Sequence, residues 1–520
     1  MLKHYSETYL VQYPVLGEAE LIERCNRVCD KNGSAFDNYV VCMALSISAH
    51  TLIHHDQIRA TKAADDFWES AIMHLDAIWQ QSLLTQLQAI MLLCHYGFVN
   101  PSAANSVACS QAAMALCIQL GLHREPTPEN IQCQIDVKSQ RRIFWTCYAM
   151  NAQNQMLMTK AFDIDQIRLS VQYPTVPTTS TAQSARVATA NYLSAFRKLE
   201  SEITMGLFHP QSCDAEVAAP GWLDDVRART KLWREQLESQ EFASKVEFRE
   251  VMFQYQRLRL SRPSPRFPVP CFSKRRESIA AGTFLATHYN RVMRQGGFFY
   301  WHHASWHLFE IGIVLADAAN TGLDLVWRRQ ESFLKPNGAV EITGALRSIP
   351  MILRWMKHRW PQIEAVAVET DQIFVPVLDR LDKWINGVIT PPIHDAQICA
   401  AIKVYLLGAD WKQLENATFE DDSSIHSPVS RRNPGSESEH MTMEEVFRVL
   451  QPNASLPEVH SRFHPPNGPV SEDMIIPELN SFDPMPNSNG FPQAENSYFW
   501  HGGGFELEDL FSGFNAGGFY

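Results

Sequence analysis

The strongest constraint on the fold is a helical repeat of apolar residues that runs through most of the chain. Leu83, Leu87, Ile90, Met91, Cys94 and Phe98 fall at offsets 0, 4, 7, 8, 11 and 15, one face of an α-helix. After Pro101 the spacing returns in Val107, Ser110, Met114, Cys117, Ile118 and Gly121, with alanines that allow close helix approach and Gly121 as a helix stop. A third helix is expected from about Ser139 to Met158, with Ile143, Cys147, Met150, Asn154 and Leu157 on one side. Further helical patterns cover roughly 187–207, 222–240, 244–260, 278–294, 303–319, 340–356, 361–388 and 395–408. No run alternates as a strand would. The expected fold class is all-α: a large helical body, one unit with sublobes or two packed lobes, because single cores stop growing at roughly 250–300 residues.

Charge divides the chain differently from helicity. The 520 residues carry a formal net charge of −12. Residues 411–520 hold 17 acidic and 5 basic residues, so residues 1–410 are neutral. A neutral body lacks the clustered Lys/Arg face with which a protein grips nucleic acid by bulk electrostatics. The tail also holds 11 of the 29 prolines, with many Ser, Asn and Gly, and is expected to be disordered. The domains are therefore expected at 1–410 and 411–520. One island in the tail, Thr442–Leu450, has a capping-box spacing and an apolar face. The N-terminus MLKHYSETYL has no apolar signal region, and no uninterrupted apolar stretch is long enough to span a membrane. The 11 cysteines are expected as reduced thiols, with Cys94, Cys109, Cys117 and Cys147 as small core residues.

Catalytic and metal signatures are sparse. The chain has no nucleophile elbow, phosphate loop or zinc-protease motif. His303 and His307 share a helix face but have no evident third ligand, and the neighbouring Trp301 and Trp306 suggest an amphipathic aromatic surface. Asp65-Asp66-Phe67-Trp68-Glu69 resembles the aspartate-rich magnesium segment of all-α terpene synthases, so Asp65, Asp66 and Glu69 define an enzymatic alternative. The second metal segment such enzymes need is absent. Cys25-x3-Cys29-x12-Cys42 has the wrong spacing for a binuclear zinc cluster. No catalytic, DNA-binding or metal-ligating residue and no cofactor is expected. Residues 261–277, broken by prolines, are expected as a surface connection, and Lys274-Arg275-Arg276 within it as a solvated cluster or a weak nuclear import signal.

Three stretches carry a resemblance. Leu87-Gln88-Ala89 with Leu92-Leu93, then Ala115 with Leu120-Gly121-Leu122-His123-Arg124-Glu125, then Arg141-Arg142-Ile143-Phe144-Trp145-Thr146-Cys147-Tyr148, resemble, in order and spacing, motifs of the fungal-specific transcription factor domain, the middle homology region of zinc-cluster regulators. Tyr5 to Leu16 resembles the start of that domain, and Phe162 to Pro174 the extended segment after the third motif. Asn151 and Thr159-Lys160-Ala161 depart from the family pattern. The resemblance implies an all-α, nuclear, regulatory body, with Gly121, Leu122, His123, Arg124, Arg141, Arg142, Phe144, Trp145 and Tyr148 as scaffold and small effectors for some members. The family domain usually follows a six-cysteine zinc module. Here it opens near Met1, so DNA contact is expected through an upstream exon, a partner, or a homo- or heterodimer mate.

The acidic tail supplies the other half of that reading. After Arg462 come eight acids and no Lys or Arg. Leu507, Leu510, Phe511 and Phe514 fall on one face of a short helix within 505–514, flanked by Glu506, Glu508 and Asp509. Such a segment is expected to order only on docking in a partner's groove, as an activation segment does against a coactivator or the transcription machinery. The function expected is a pathway-specific transcriptional activator, for example of a metabolite gene cluster. A DNA-independent co-regulator acting through a partner is the nearest alternative.

Overall fold

The computed structural model describes residues 1–52, 57–125, 135–158, 169–179, 181–210, 217, 219, 221–238, 248–295, 300–408 and 411–412. The tail beyond residue 412, with Thr442–Leu450 and the 505–514 segment, lies outside the described residues. Among them every regular element is a helix. In chain order these are α1 Leu2–Thr8, α2 Glu18–Cys29, α3 Ala35–Leu52, α4 Gln57–Ile72, α5 Leu75–Trp79, α6 Leu83–Val99, α7 Ser106–Gln119, α8 Val137–Leu157 and α9 Ala182–Phe208. They continue as α10 Trp222–Glu238, α11 Arg249–Arg259, α12 Phe272–Arg294, α13 Trp301–Trp327, α14 Pro336–Met356, α15 Ile363–Ile385 and α16 Ala396–Leu407. No described helix is long and apolar enough to cross a membrane.

Helix ends follow local chemistry. The Asn105 side chain accepts from Val107 N and Ala108 N at 3.0 and 3.2 Å, and Asp136 from Ser139 N at 3.0 Å, which satisfies first-turn donors of α7 and α8. Gly121 turns the chain out of α7 at φ +70°.

Two helices form the axis of the body. In α6 every residue from Leu87 to Val99 is buried, and α13 is buried almost throughout from Trp301 to Leu323. α3, α5, α7 and α8 pack on α6, and α12, α14, α15 and α16 pack on α13. Among the described residues one apolar core runs from Tyr5 to Leu407, and Val28, Val41 and Leu45 form a small satellite. The apolar interior is continuous, because α13 contacts elements of both halves. The expected aromatic surface at Trp301 is corrected, since Trp301, His302, His303 and His307 are all buried.

Close approach at one glycine gives a test of this packing. A Cβ on Gly97 would lie 2.6 Å from the Ala104 carbonyl oxygen and 3.0 Å from Ser106 N, both backbone atoms that cannot rotate away. Gly97→Ala is expected to destabilise the protein by about 1–3 kcal/mol, as overpacking does. A urea midpoint equal to that of the parent would contradict so close an approach of α6 to the turn that leads into α7.

Candidate functional site

The motif residues around α7 and α8 act on the chain itself. The His123 carbonyl accepts from Ser170 N and Val171 N at 3.2 and 3.3 Å. Arg141 forms an ion pair with Glu125 and donates to Thr175 Oγ1 at 3.0 Å. The same guanidinium holds the Glu125 carboxyl below its usual range. Glu125 in turn accepts from Gln172 N at 2.9 Å. Trp145 donates Nε1–H to the Gln172 carbonyl at 2.9 Å and stacks on Tyr173 with ring centres 4.2 Å apart. Arg142 donates to the Pro14 carbonyl at 3.1 Å and lies 3.4 Å from Glu20. Gln140 reaches the Arg124 carbonyl at 2.8 Å, while Leu122, Phe144 and Tyr148 are buried beneath. Together these contacts fasten 169–175 and the N-terminal segment onto α8.

A second constellation lies deeper. Arg197 and Glu200 of α9, Tyr255 and Arg259 of α11, Arg262 just beyond it, and His303, His307 and Glu310 of α13 converge in the interior, all buried. Arg197 pairs with Glu200, whose other oxygen accepts from Gln256 Nε2 at 2.9 Å. Glu310 accepts from the Tyr255 hydroxyl and lies 2.7 Å from Arg262 Nε and 3.7 Å from Arg259 Nε. Arg259 also donates to Thr204 Oγ1 at 3.1 Å, and both guanidiniums lie over the Phe208 ring. Tyr289 and His307 Nδ1 are 2.7 Å apart, and Tyr255 packs on the His307 ring at 3.8 Å. Burial holds His303 and His307 well below the usual imidazole range, so both are neutral at pH 7. Next to this network is a cavity of about 30 Å³, lined in part by Gln153, Met156, Arg197, Glu200, Val251 and His307.

Elsewhere in the core His95 and the Tyr300 hydroxyl share a hydrogen bond at 2.7 Å. The rings of Tyr5, Tyr9 and Tyr13 surround it, with centres 6.2, 5.4 and 5.1 Å away. The N-terminal segment therefore packs around His95.

Two expected sites are corrected by their placement. Lys274-Arg275-Arg276 stands in the first turn of α12, not on a loop. Arg275 is buried and paired with Asp317, which also holds Lys403 at 3.1 Å. That side chain is turned into the core and is not displayed to an import receptor. The preceding connection is also partly internal, since Arg262 and Ser264 are buried. Asp65, Asp66 and Glu69 are exposed on α4, and Asp66 pairs with Lys62 at 3.0 Å, so the magnesium-lined cavity of the enzymatic alternative is not there. Among the described residues no group of three or more His, Cys, Asp or Glu is arranged to hold a metal.

Residues 2–214 match the Fungal specific transcription factor domain. Over 135 residues the chain is 27% identical to the Negative regulator of pleiotropic drug resistance STB5 of Candida glabrata. That stretch is 26% of this chain and 13% of the relative, so the chain spans a small part of that protein's length. No solved structure matches the chain. The clamp around α8 lies wholly inside the matched residues. The second constellation, a buried chamber, does not: Arg197 and Glu200 lie within the match, while Tyr255, Arg259, Arg262, His307 and Glu310 come from the sequence beyond residue 214.

Proposed function

We propose that this chain is the regulatory part of a fungal transcriptional regulator of the zinc-cluster type, working in the nucleus as a pathway-specific activator. The match of residues 2–214 to the transcription factor domain carries this reading. The helical body over 1–410 is the regulatory domain, and the acidic tail is the effector arm. DNA is reached through a zinc module upstream of this sequence or through a dimer partner. The relative's printed name describes a negative regulator. In this reading the sign of regulation comes from the tail, where Leu507, Leu510, Phe511 and Phe514 form the face that a coactivator groove takes up.

The test is a fusion of residues 463–520 to a heterologous DNA-binding domain in a reporter strain. The parent fusion is expected to activate, and Leu510→Ala with Phe511→Ala to remove most of that activity, because the pair supplies half of the apolar face. A silent parent fusion, or a double variant as active as the parent, would overturn the activator assignment.

A further inference from the structure

Cys25 and Cys29 stand four residues apart on α2, and both are free thiols. Cys25 is half-buried, and Cys29 is exposed in the last position of the helix. That spacing puts the two side chains on one face, with Cβ atoms about 5–6 Å apart. The thiols are within hydrogen-bond reach of each other. Burial first, and then the Cys29 thiol, push Cys25 above the usual thiol range, so Cys25 is a neutral thiol at pH 7. Ile22, on the same flank of α2, is exposed, so the pair is open to solvent on that side. Cys42, the third cysteine of this spacing, lies on α3. Burial alone pushes it up to about 11, and it is not among the groups that act on Cys25.

Two sulfurs without further ligands do not make a zinc site, which takes four. Among the described residues no third His, Cys, Asp or Glu completes the set. A direct disulfide is also disfavoured, because it needs Cβ atoms about 3.5–4.5 Å apart, closer than a regular helical turn brings them. A bridge through one intervening soft atom spans the wider gap. Thiol sulfur selects soft centres, and trivalent arsenic that bears one organic group is satisfied by two such bonds. Each thiol replaces one hydroxyl on arsenic. Two S–H and two As–O bonds break, two As–S and two O–H bonds form, and two waters leave. Arsenic stays trivalent, so neither an oxidant nor a reductant is needed.

We propose that Cys25 and Cys29 form a dithiol site for trivalent arsenic, which bridges the two sulfurs across the last turn of α2. That turn contains Arg27 and follows Arg24, whose guanidiniums hold Asp37 of α3 at 2.7 and 2.6 Å. The bridge therefore stiffens the place where α2 is fastened to α3. The proposal rests on α2 and not on the transcriptional reading, so a silent reporter leaves it standing.

In the experiment the reduced full chain is treated with an equimolar amount of phenylarsine oxide, and the adduct is located by mass spectrometry of its peptides. One phenylarsenic unit is expected on the peptide that holds Cys25 and Cys29, with both thiols protected from iodoacetamide. Excess glutathione, a monothiol, is expected to leave the adduct in place, and dimercaptopropanol, a dithiol, to remove it. Affinity is expected to fall by about 100-fold or more in Cys25→Ser and in Cys29→Ser, because the second sulfur contact is no longer intramolecular. Cys271→Ser, which removes an exposed thiol elsewhere, is expected to bind as the parent does. If a serine variant does not fold, the peptide map of the parent decides. An adduct on any other cysteines, or an affinity that neither α2 variant lowers, overturns the proposal.

Discussion

Acidification from pH 7 to pH 5 is expected to unfold the body, well before ordinary acid denaturation would. His50, His95, His288, His302, His303 and His307 are all buried. Burial pushes His95 and His302 down to about 3 and His288 down to about 4, and holds the other three well below the usual value. The groups that face them are hydroxyls, an indole and guanidiniums: Tyr300 on His95, Ser106 and Trp306 on His302, Tyr289 on His307, Arg359 on His50 and Arg291 on His288. In the unfolded chain these imidazoles titrate near 6.5. Between that value and the depressed folded value the unfolded state binds more protons, so stability is full above pH 6.5 and is lost as pH falls below it. Each group costs about 1.4 kcal/mol per pH unit, so six together approach roughly 8 kcal/mol per unit, against a total stability of about 5–15 kcal/mol. The transition is expected between pH 6 and pH 5 by circular dichroism at constant ionic strength. The Asp37 carboxyl, lowered by Arg27, loses its contribution only below the ordinary carboxylate range, so it does not set this transition. A helical signal unchanged down to pH 4.5 would show that the histidines are not buried neutral.

The second large effect is at Glu310. Replacing it with Leu leaves Arg259 and Arg262 in the core without their shared carboxylate and leaves the Tyr255 hydroxyl without its acceptor. Breaking a buried pair from one side costs about 3–5 kcal/mol, because the remaining charge stays desolvated. The direction is asymmetric. Arg259→Met removes one member of the positive surplus and keeps the stem volume over Phe208, so it is expected to cost less than Glu310→Leu. Urea midpoints of the two variants, at matched slopes, measure the difference. If Arg259→Met were the more damaging of the two, the charge imbalance of the chamber would be wrong.

The helices that are easiest to foresee have one apolar face and a clear stop, such as α7 ending before Gly121. Helices ahead of Leu83 are harder. α3 is apolar on nearly every side, so it shows no stripe with a helical period. The scaffold motif can be located as a resemblance, but not its partners: Glu125 and Arg141 are near in sequence, whereas Arg142 reaches back to Pro14. The chamber escapes a reading of the sequence for the same reason. Arg262 and Glu310 look like solvated charges within their own segments, and only the fold brings them together. Arg275 is misplaced by its sequence context because its counter-charge, Asp317, stands 42 residues away. A signal is nevertheless present. Glu310 and Asp317 interrupt a long apolar stretch at a spacing of two helical turns, which places both carboxylates on a buried face.

The core that runs unbroken from Tyr5 to Leu407 bears on how such a protein can be divided. The match to the transcription factor domain ends at residue 214, but the apolar core continues past it. A fragment ending there would keep Arg197 and Glu200 and lose Gln256 and most of the wall of helices that shields them. It would uncover the parts of α6 and α8 that pack on α13. Sequence inheritance and cooperative folding thus have different limits in this protein: the segment that is recognisable across relatives is shorter than the unit that can hold itself together. Transfer of this region to another chain would have to carry the whole stretch from Tyr5 to Leu407 to preserve that core.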